Sequence, residues 1–247
     1  MSPPTTPPAG AFLALWNGHA PALDSRVYNT WHTFEHVPER LSVPGMCWAE
    51  RYAVDPGVLT ERPFFTWYGM ADLGVLSHPA YQDLLDHPTP WSAHVRPHLT
   101  AFHRRPCTWL GRVGVGRGAC LCTLEWAGVG EAWLAELPGV LAGAVGGAGL
   151  VSADWGRWDP GPAHPLDPPG AGAAGGVVLL LTHTDPVVLE ATAAQLSALA
   201  QRQGAPVQPS PVYRLQSVVR AADLPGQGRP EPLTALWTQV VSGAVLA

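Results

Sequence analysis

Two imidazoles and a carboxylate fall within five residues, His32-Thr33-Phe34-Glu35-His36, with Tyr28 four residues before and Arg51 a short way after. On a helix, positions four apart share a face, so His32 and His36 would project together with Glu35 and Tyr28 beside them. A histidine facing a pocket exchanges protons near neutral pH, and an adjacent carboxylate orients it or raises its pKa. His36 is the expected general base or acid, Glu35 its orienter, and His32 and Tyr28 secondary polar groups. Arg51 would stabilise an enolate-like oxygen. The structural alternative pairs Glu35 with Arg40 or Arg51 and spends His36 on a backbone carbonyl. The letters also spell His-x-x-Glu-His, which on an unbroken helix could place two imidazoles on zinc. Pro38 interrupts that helix, and only Glu125 or Glu131 offers itself as a third ligand, so no metal is expected. Trp48, Trp67 and Tyr68 would either stack in the core or line a pocket for a planar ligand.

The elements that must hold these groups follow from periodicity. Residues 11–16 (AFLALW) read as a strand. Asp24 or Ser25 caps a helix whose buried stripe is Val27, Trp31, Phe34 and Leu41, kinked or ended near Val37 by Pro38. Pro44-Gly45 turns the chain into strands over residues 46–54 and 63–71, with Asp55-Pro56-Gly57 between them. A broken helix over 73–85, a short helical turn over 89–98 and a strand over 100–110 follow. The order strand, helix, strand, strand, helix, strand then recurs: strand 119–126, helix 131–145, strands 150–158 and 176–183, a helix capped by Asp185 and opened by Pro186, and strand 211–221.

The segment from Gly45, GMCWAERYAVDPG, is echoed without gaps from Gly149 as GLVSADWGRWDPG, setting Ala153 opposite Ala49 and Asp154 opposite Glu50. The second copy has no Glu-His pair. The fold class expected is α+β: two tandem ferredoxin-like βαββαβ halves packed face to face. They would occupy residues 11–112 and 113–224, behind a disordered tail (1–10) and before a C-terminal extension (225–247) docked as a strand or short helix. Residues 111–118 (GRVGVGRG) read as the linker and residues 162–176 as a loose insertion.

Composition narrows the function classes. Of 247 residues, 13% are charged and 47% hydrophobic, and the formal net charge is −5. That balance supports a packed core and gives nucleic acid no electrostatic footing. No run reaches membrane-span length, and no positive leader with an apolar segment opens the chain, so a cytoplasmic protein is expected. Four cysteines without C-x-x-C spacing read as reduced thiols. No G-x-S-x-G elbow, phosphate loop or paired-aspartate pattern appears.

Residues 11–110 carry a motif, W-x-x-x-E-H followed by Pro, Leu and Pro-Gly, at Trp31, Glu35, His36, Pro38, Leu41, Pro44 and Gly45, with Pro-Thr-Pro-Trp at 88–91 and Arg104 later. In this the chain resembles the dimeric alpha-beta barrel superfamily and, more narrowly, EthD-like bacterial proteins. The resemblance implies a fused pseudo-dimer, monomeric or paired with a second copy. It further implies a cofactor-independent enzyme performing proton transfer, as isomerases, cyclases and oxygenases of this group do, on an apolar or aromatic oxygenated small molecule. Two alternatives stay open: a non-catalytic ligand-binding or stress-related barrel, and a haem enzyme with His103 as axial ligand.

Overall fold

The computed structural model describes residues 9–128, 130–147, 149–158, 161–167, 175–202, 204, 207, 209–226 and 228–243. The elements run in the order β1 (Ala11–His19), α1 (Ser25–Trp31), a π-turn (His32–His36), α2 (Val37–Leu41), β2 (Met46–Val54), β3 (Phe64–Met70), α3 (Pro79–Asp86), α4 (Pro90–Val95) and β4 (Leu99–Gly114). They continue through β5 (Cys120–Ala127), α5 (Glu131–Gly147), β6 (Ser152–Trp158), β7 (Gly176–His183), α6 (Pro186–Arg202), β8 (Tyr213–Arg220) and α7 (Thr234–Ser242). The eight strands close a barrel in the order β1-β3-β2-β8-β5-β7-β6-β4, every pair antiparallel. The expected α+β class is therefore observed, as a single closed barrel with helices outside.

Closure depends on β4. Its first part pairs with β1 and its second part, Cys107 to Gly114, with β6. The glycine-rich segment expected as a linker is thus strand as far as Gly114. Gly111 is needed there because a Cβ would come within 2.3 Å of the Trp155 ring. Alternation along β1 sorts its side chains: Phe12, Ala14 and Trp16 enter the barrel interior, while Leu13, Leu15 and Asn17 face the helices.

The first helix departs from expectation at its centre. Asp24 caps it, accepting from the Arg26 N–H at 2.7 Å. The chain then widens so that the Val37 N–H reaches the His32 carbonyl five residues back. Pro38, which cannot donate, sits in the first turn of α2, where a missing N–H costs least. The wider turn carries Phe34 off the buried stripe and leaves it 58% exposed. Of the C-terminal extension, α7 packs on the α1 and α4 layer through Leu233, Leu236, Trp237 and Val240. Residues 1–8 of the expected tail and 168–174 of the expected insertion lie outside the described residues.

Candidate functional site

Between the helix layer α1–α4 and the outer face of β1–β4 lies a cleft that opens to solvent at its rim. Its floor is Leu13, Leu15, Asn17, Met46 and Tyr68 from the sheet; its wall is Tyr28, Trp31, His32, His36 and Arg40; its rim is Tyr81, Arg96, Leu99, Phe102, His164 and Leu166. No carboxylate is among these lining residues.

The π-turn determines how the histidines meet. Their rings lie 5.1 Å apart, and His36 packs 4.5 Å from the Trp31 ring. His32 Nε2 lies 3.3 Å from Thr66 Oγ1, and Tyr28 shares hydrogen bonds with Asn17, accepting from Nδ2 at 2.9 Å. The Nδ1 atom of His36 is buried without a hydrogen-bond partner, as is that of His32. Both imidazoles are held well below the usual histidine range. Burial is the main cause for each, followed at His36 by the Arg40 guanidinium and His32, and at His32 by Arg51. At neutral pH they are uncharged, able to accept a proton but not to give one.

Arg40 is 5% exposed. Its guanidinium lies over the Tyr81 ring at 5.2 Å, and its Nη1 is buried without a partner. Arg96 donates to the carbonyls of Leu84 and Leu85, and its pKa is pushed down to about 10 by burial and then by Arg40.

A strap from the sequence between β6 and β7 completes the rim. Arg104 donates to both Asp167 oxygens, at 2.7 and 2.8 Å, and to the Pro162 carbonyl. His164 stacks on Phe102 with ring centres 5.0 Å apart, and burial, then Arg104, push its pKa down to about 3. Residues 162–167 of the expected loose insertion are thereby fastened over the cleft.

Four of the nominated residues, Tyr28, His32, His36 and Tyr68, line the cleft together. The others do not. Glu35 does not orient His36: its carboxylate accepts from Thr89 Oγ1 at 2.6 Å and from the Leu233 N–H at 2.8 Å, tying the helix to α4 and the C-terminal arm. Neither alternative pairing of Glu35 with Arg40 or Arg51 forms. Arg51 lies behind the histidines, donating to Thr33 Oγ1 at 3.1 Å and to Asn29 Oδ1, with its guanidinium over Tyr28 and Phe64. Trp48 and Trp67 belong to the barrel interior, where Trp109 and Phe12 join them and the Arg117 guanidinium sits 3.6 Å from the Trp67 ring centre. Strand alternation separates Trp67 from Tyr68, its neighbour in sequence.

Among the described residues no group of three histidine, cysteine, aspartate or glutamate side chains could hold a metal ion. Of the imidazoles lining the cleft or nominated for haem, none is held as an axial ligand would be. His103 does not line the cleft, and its Nε2 is held by Glu125 at 2.8 Å. The Nδ1 of His164 accepts the Leu166 N–H, which puts the ring proton on Nε2. His32 and His36 lack, behind Nδ1, the acceptor that fixes a metal-ligating histidine.

Sequence reasoning missed Arg40, Arg96, Tyr81 and His164 as cleft residues. Arg40 carried a signal, since it stands four residues after His36 as His36 stands four after His32. His164 carried none, because it arrives from another part of the chain.

The chain is similar in structure to several solved proteins. One described as an anthrone oxidase-like protein aligns over 86% of this chain and 93% of its own, at 11% identity and a TM-score of 0.56. A putative monooxygenase from Lactobacillus acidophilus NCFM covers 85% of this chain and 93% of its own at 10% identity, with a TM-score of 0.46. A mutant chlorite dismutase from Candidatus Nitrospira defluvii covers 85% and 92% at 12% identity and a TM-score of 0.49. The first of these likenesses shows a shared fold. No family model matches the chain. No curated protein matches it in sequence.

Proposed function

We propose that the cleft binds an apolar or aromatic oxygenated molecule and that His36 moves a proton on it. The observation that carries this reading is the Nδ1 of His36: a buried nitrogen with no partner, on an imidazole held neutral, at the wall of an aromatic cleft. Burial makes such a nitrogen costly unless a ligand uses it. General-base participation of this kind contributes about 10²–10⁴ in rate. His32 and Tyr28 flank the position, and Trp31 holds the His36 ring from behind.

The finer architecture belongs to the same proposal. Reading round the barrel, β4-β1-β3-β2 and β8-β5-β7-β6 repeat one strand order, and the sequence echo falls on the equivalent strands β2 and β6. Both echo carboxylates, Glu50 and Asp154, are buried, and the Arg117 charge acts on both. A fused pseudo-dimer of two ferredoxin-like units, of the EthD-like kind, accounts for these facts. One chain then supplies all eight strands and needs no second copy to close. No helix among the described residues is long and apolar enough to cross a membrane.

Anthrone, the compound in the name of one structure of this fold, is a fitting probe because it is planar and has an acidic CH₂ group. In D₂O the protein is expected to accelerate exchange at that carbon, with His36→Gln losing about tenfold or more. Equal exchange rates for the two proteins would remove the proton-transfer role. Glu35, engaged away from His36, favours a second reading in which the cleft binds without turnover. Saturable binding of anthrone with no enhanced exchange would select it.

A further inference from the structure

We infer that the cleft is built for an organic anion, a flat apolar body whose oxygen-centred negative charge is seated against Arg40. This specifies the ligand class of the site proposed above, and only the fate of the proton after binding rests on that reading.

Arg40 is a buried cation that, among the described residues, meets the face of the Tyr81 ring but no carboxylate. Among the described residues no carboxylate lies within ion-pair distance of it, and Nη1 has no hydrogen-bond partner. The two nearest acids in sequence are already used. Glu39 is held by Arg229 at 2.7 and 3.0 Å, and Glu35 by Thr89 and the Leu233 N–H. Three other partly or largely buried arginines face acids: Arg104 has Asp167, Arg105 has Glu125, and Arg117 has Glu50. Arg51 and Arg96 have no acid but donate to neutral oxygens, of Thr33 and Asn29 and of Leu84 and Leu85, whereas no such acceptor meets Arg40 Nη1. A guanidinium cannot relieve burial by losing its proton, as the histidines beside it do. Its cost is repaid only when an acceptor enters, and its planar fork suits the two oxygens of a carboxylate or the single oxygen of an enolate or phenolate.

The surroundings add to this bias. Arg96 brings a second positive charge to the rim, the imidazoles of His32 and His36 are uncharged, and no carboxylate lines the cleft to compete. Trp31, Tyr68 and Phe102 supply aromatic surface for the body of the ligand. If the ligand enters as a neutral ketone or phenol, its C–H or O–H proton passes to a ring nitrogen of His36. The electron pair stays on the ligand oxygen opposite Arg40. No oxidant or second reactant takes part in that step.

Two probes of one shape, 2-naphthoate and the uncharged 2-naphthamide, separate charge from size. By titration calorimetry at neutral pH the wild-type protein should bind the naphthoate about tenfold or more tightly than the amide. Arg40→Met should bring the two affinities close to equality, and Arg40→Lys should keep part of the preference. In wild type the anion beside His36 should also draw in a proton, seen as a binding heat that varies with the buffer's ionisation enthalpy, whereas the amide should show none. This second measurement holds even if Arg40→Met fails to fold. Equal wild-type affinities, no saturable naphthoate binding, a preference that survives in folded Arg40→Met, or no proton uptake with naphthoate would each overturn the inference. His36→Gln should retain the naphthoate preference while losing anthrone exchange. Loss of wild-type exchange with the preference intact therefore defeats the proton-transfer reading alone, and the reverse result defeats the anion site alone.

Discussion

Two helix layers cover this barrel, and among the described residues only one of them mixes buried charged side chains into its apolar packing. Where α5 and α6 lie on β5–β7, the buried contacts are Trp133, Leu137, Leu141, Leu189, Ala193 and Leu196 against Leu124, Leu179 and Leu181. Where α1, the π-turn and α2 lie on β1–β3, they carry the buried His32, Glu35, Glu39 and Arg40 beside Val37 and Leu41, and a cleft remains between helix and sheet. Among the described residues every buried charged side chain except Asp154 belongs to the first 110. Core apolar packing stabilises by removing area from water, whereas a buried, unpaired cation destabilises. One layer is thus arranged for stability, and the other gives up stability to hold polar groups where a ligand could reach them.

The strongest way to break this contrast is to cut into each layer in turn. Leu189→Ala, at a fully buried position on α6, should cost about 2–5 kcal/mol by lost transfer energy and the cavity left behind. Arg40→Met, which replaces a cation without a carboxylate partner by an apolar chain of similar length, should be neutral or stabilising by about 1–4 kcal/mol. Urea unfolding of both variants measures the difference. A loss in Arg40→Met comparable with that in Leu189→Ala would show that Arg40 contributes to packing as the leucine does.

Acid should act next most strongly, and mainly through the first layer. His32, His36 and His164 are neutral in the folded protein but take up protons on unfolding below about pH 6.5, their ordinary value. The unfolded state then holds more protons, so these three groups make stability fall as pH drops below that value, and they contribute nothing above it. Asp154 works in the opposite direction. Burial raises its pKa to about 6, so between pH 6 and its ordinary value near 3.8 the folded state holds the extra proton and gains stability as pH falls. Three groups act in one direction and one in the other, so the net effect near pH 5 to 5.5 is a stability that falls with pH, each unbalanced proton contributing at most about 1.4 kcal/mol per pH unit. Replacing His164 by Gln should lower that slope by about one proton, and Asp154→Asn should steepen it by about one. Denaturant unfolding across this range measures both, and a slope unchanged in His164→Gln would mean that the strap histidine titrates normally.

The same contrast explains what could be read from the residues in advance. Strand positions were legible because alternation and turn residues are local: β2 runs Met46–Val54 and β7 runs Gly176–His183, as the pattern indicates. The strand-helix order, and Asp185 capping α6 through a 2.8 Å bond to the Val187 N–H, were legible for the same reason. The cleft was only half legible. Tyr28, His32 and His36 are one local pattern, but the π-turn that sets their spacing depends on packing around Pro38, and a strict helical period carries Phe34 inward when it is in fact exposed. Glu35 has the right type and spacing to orient His36, yet its partners, Thr89 and Leu233, come from 54 and 198 residues away. Trp67 and Tyr68 are alike in composition and differ only in parity along β3, which decides core or cleft. Residues 111–114 read as linker because glycine is a loop signal, whereas at Gly111 it makes room for the Trp155 ring.

A smaller effect tests the reassignment of Glu35. Glu35→Gln should cost about 1–3 kcal/mol, since the Thr89 hydroxyl and Leu233 amide lose a charged acceptor. It should leave the pH titration of His36, followed by imidazole NMR, where it is in the wild type. A displaced His36 titration would restore the carboxylate as its orienter and bring the first layer closer to an acid-base pair than the hydrogen bonds allow.

The least costly change should be Asp167→Asn, which weakens the fastening of the strap without touching either helix layer. The Arg104–Asp167 pair is bidentate but lies at the rim, with Asp167 20% exposed at its side chain, so its loss should lower stability by about 1 kcal/mol or less. Its effect on binding should exceed its effect on folding, because Arg104 also holds the Pro162 carbonyl and through it positions His164 against Phe102. A strap that opens more readily should raise the dissociation rate of 2-naphthoate several-fold while leaving its association rate nearly unchanged, since affinity differences within one site are carried mostly by release. Stopped-flow tryptophan fluorescence can follow this through Trp31 in the wall. Unchanged release would mean that residues 162–167 border the cleft without closing it, and that the first layer alone sets the ligand's residence time.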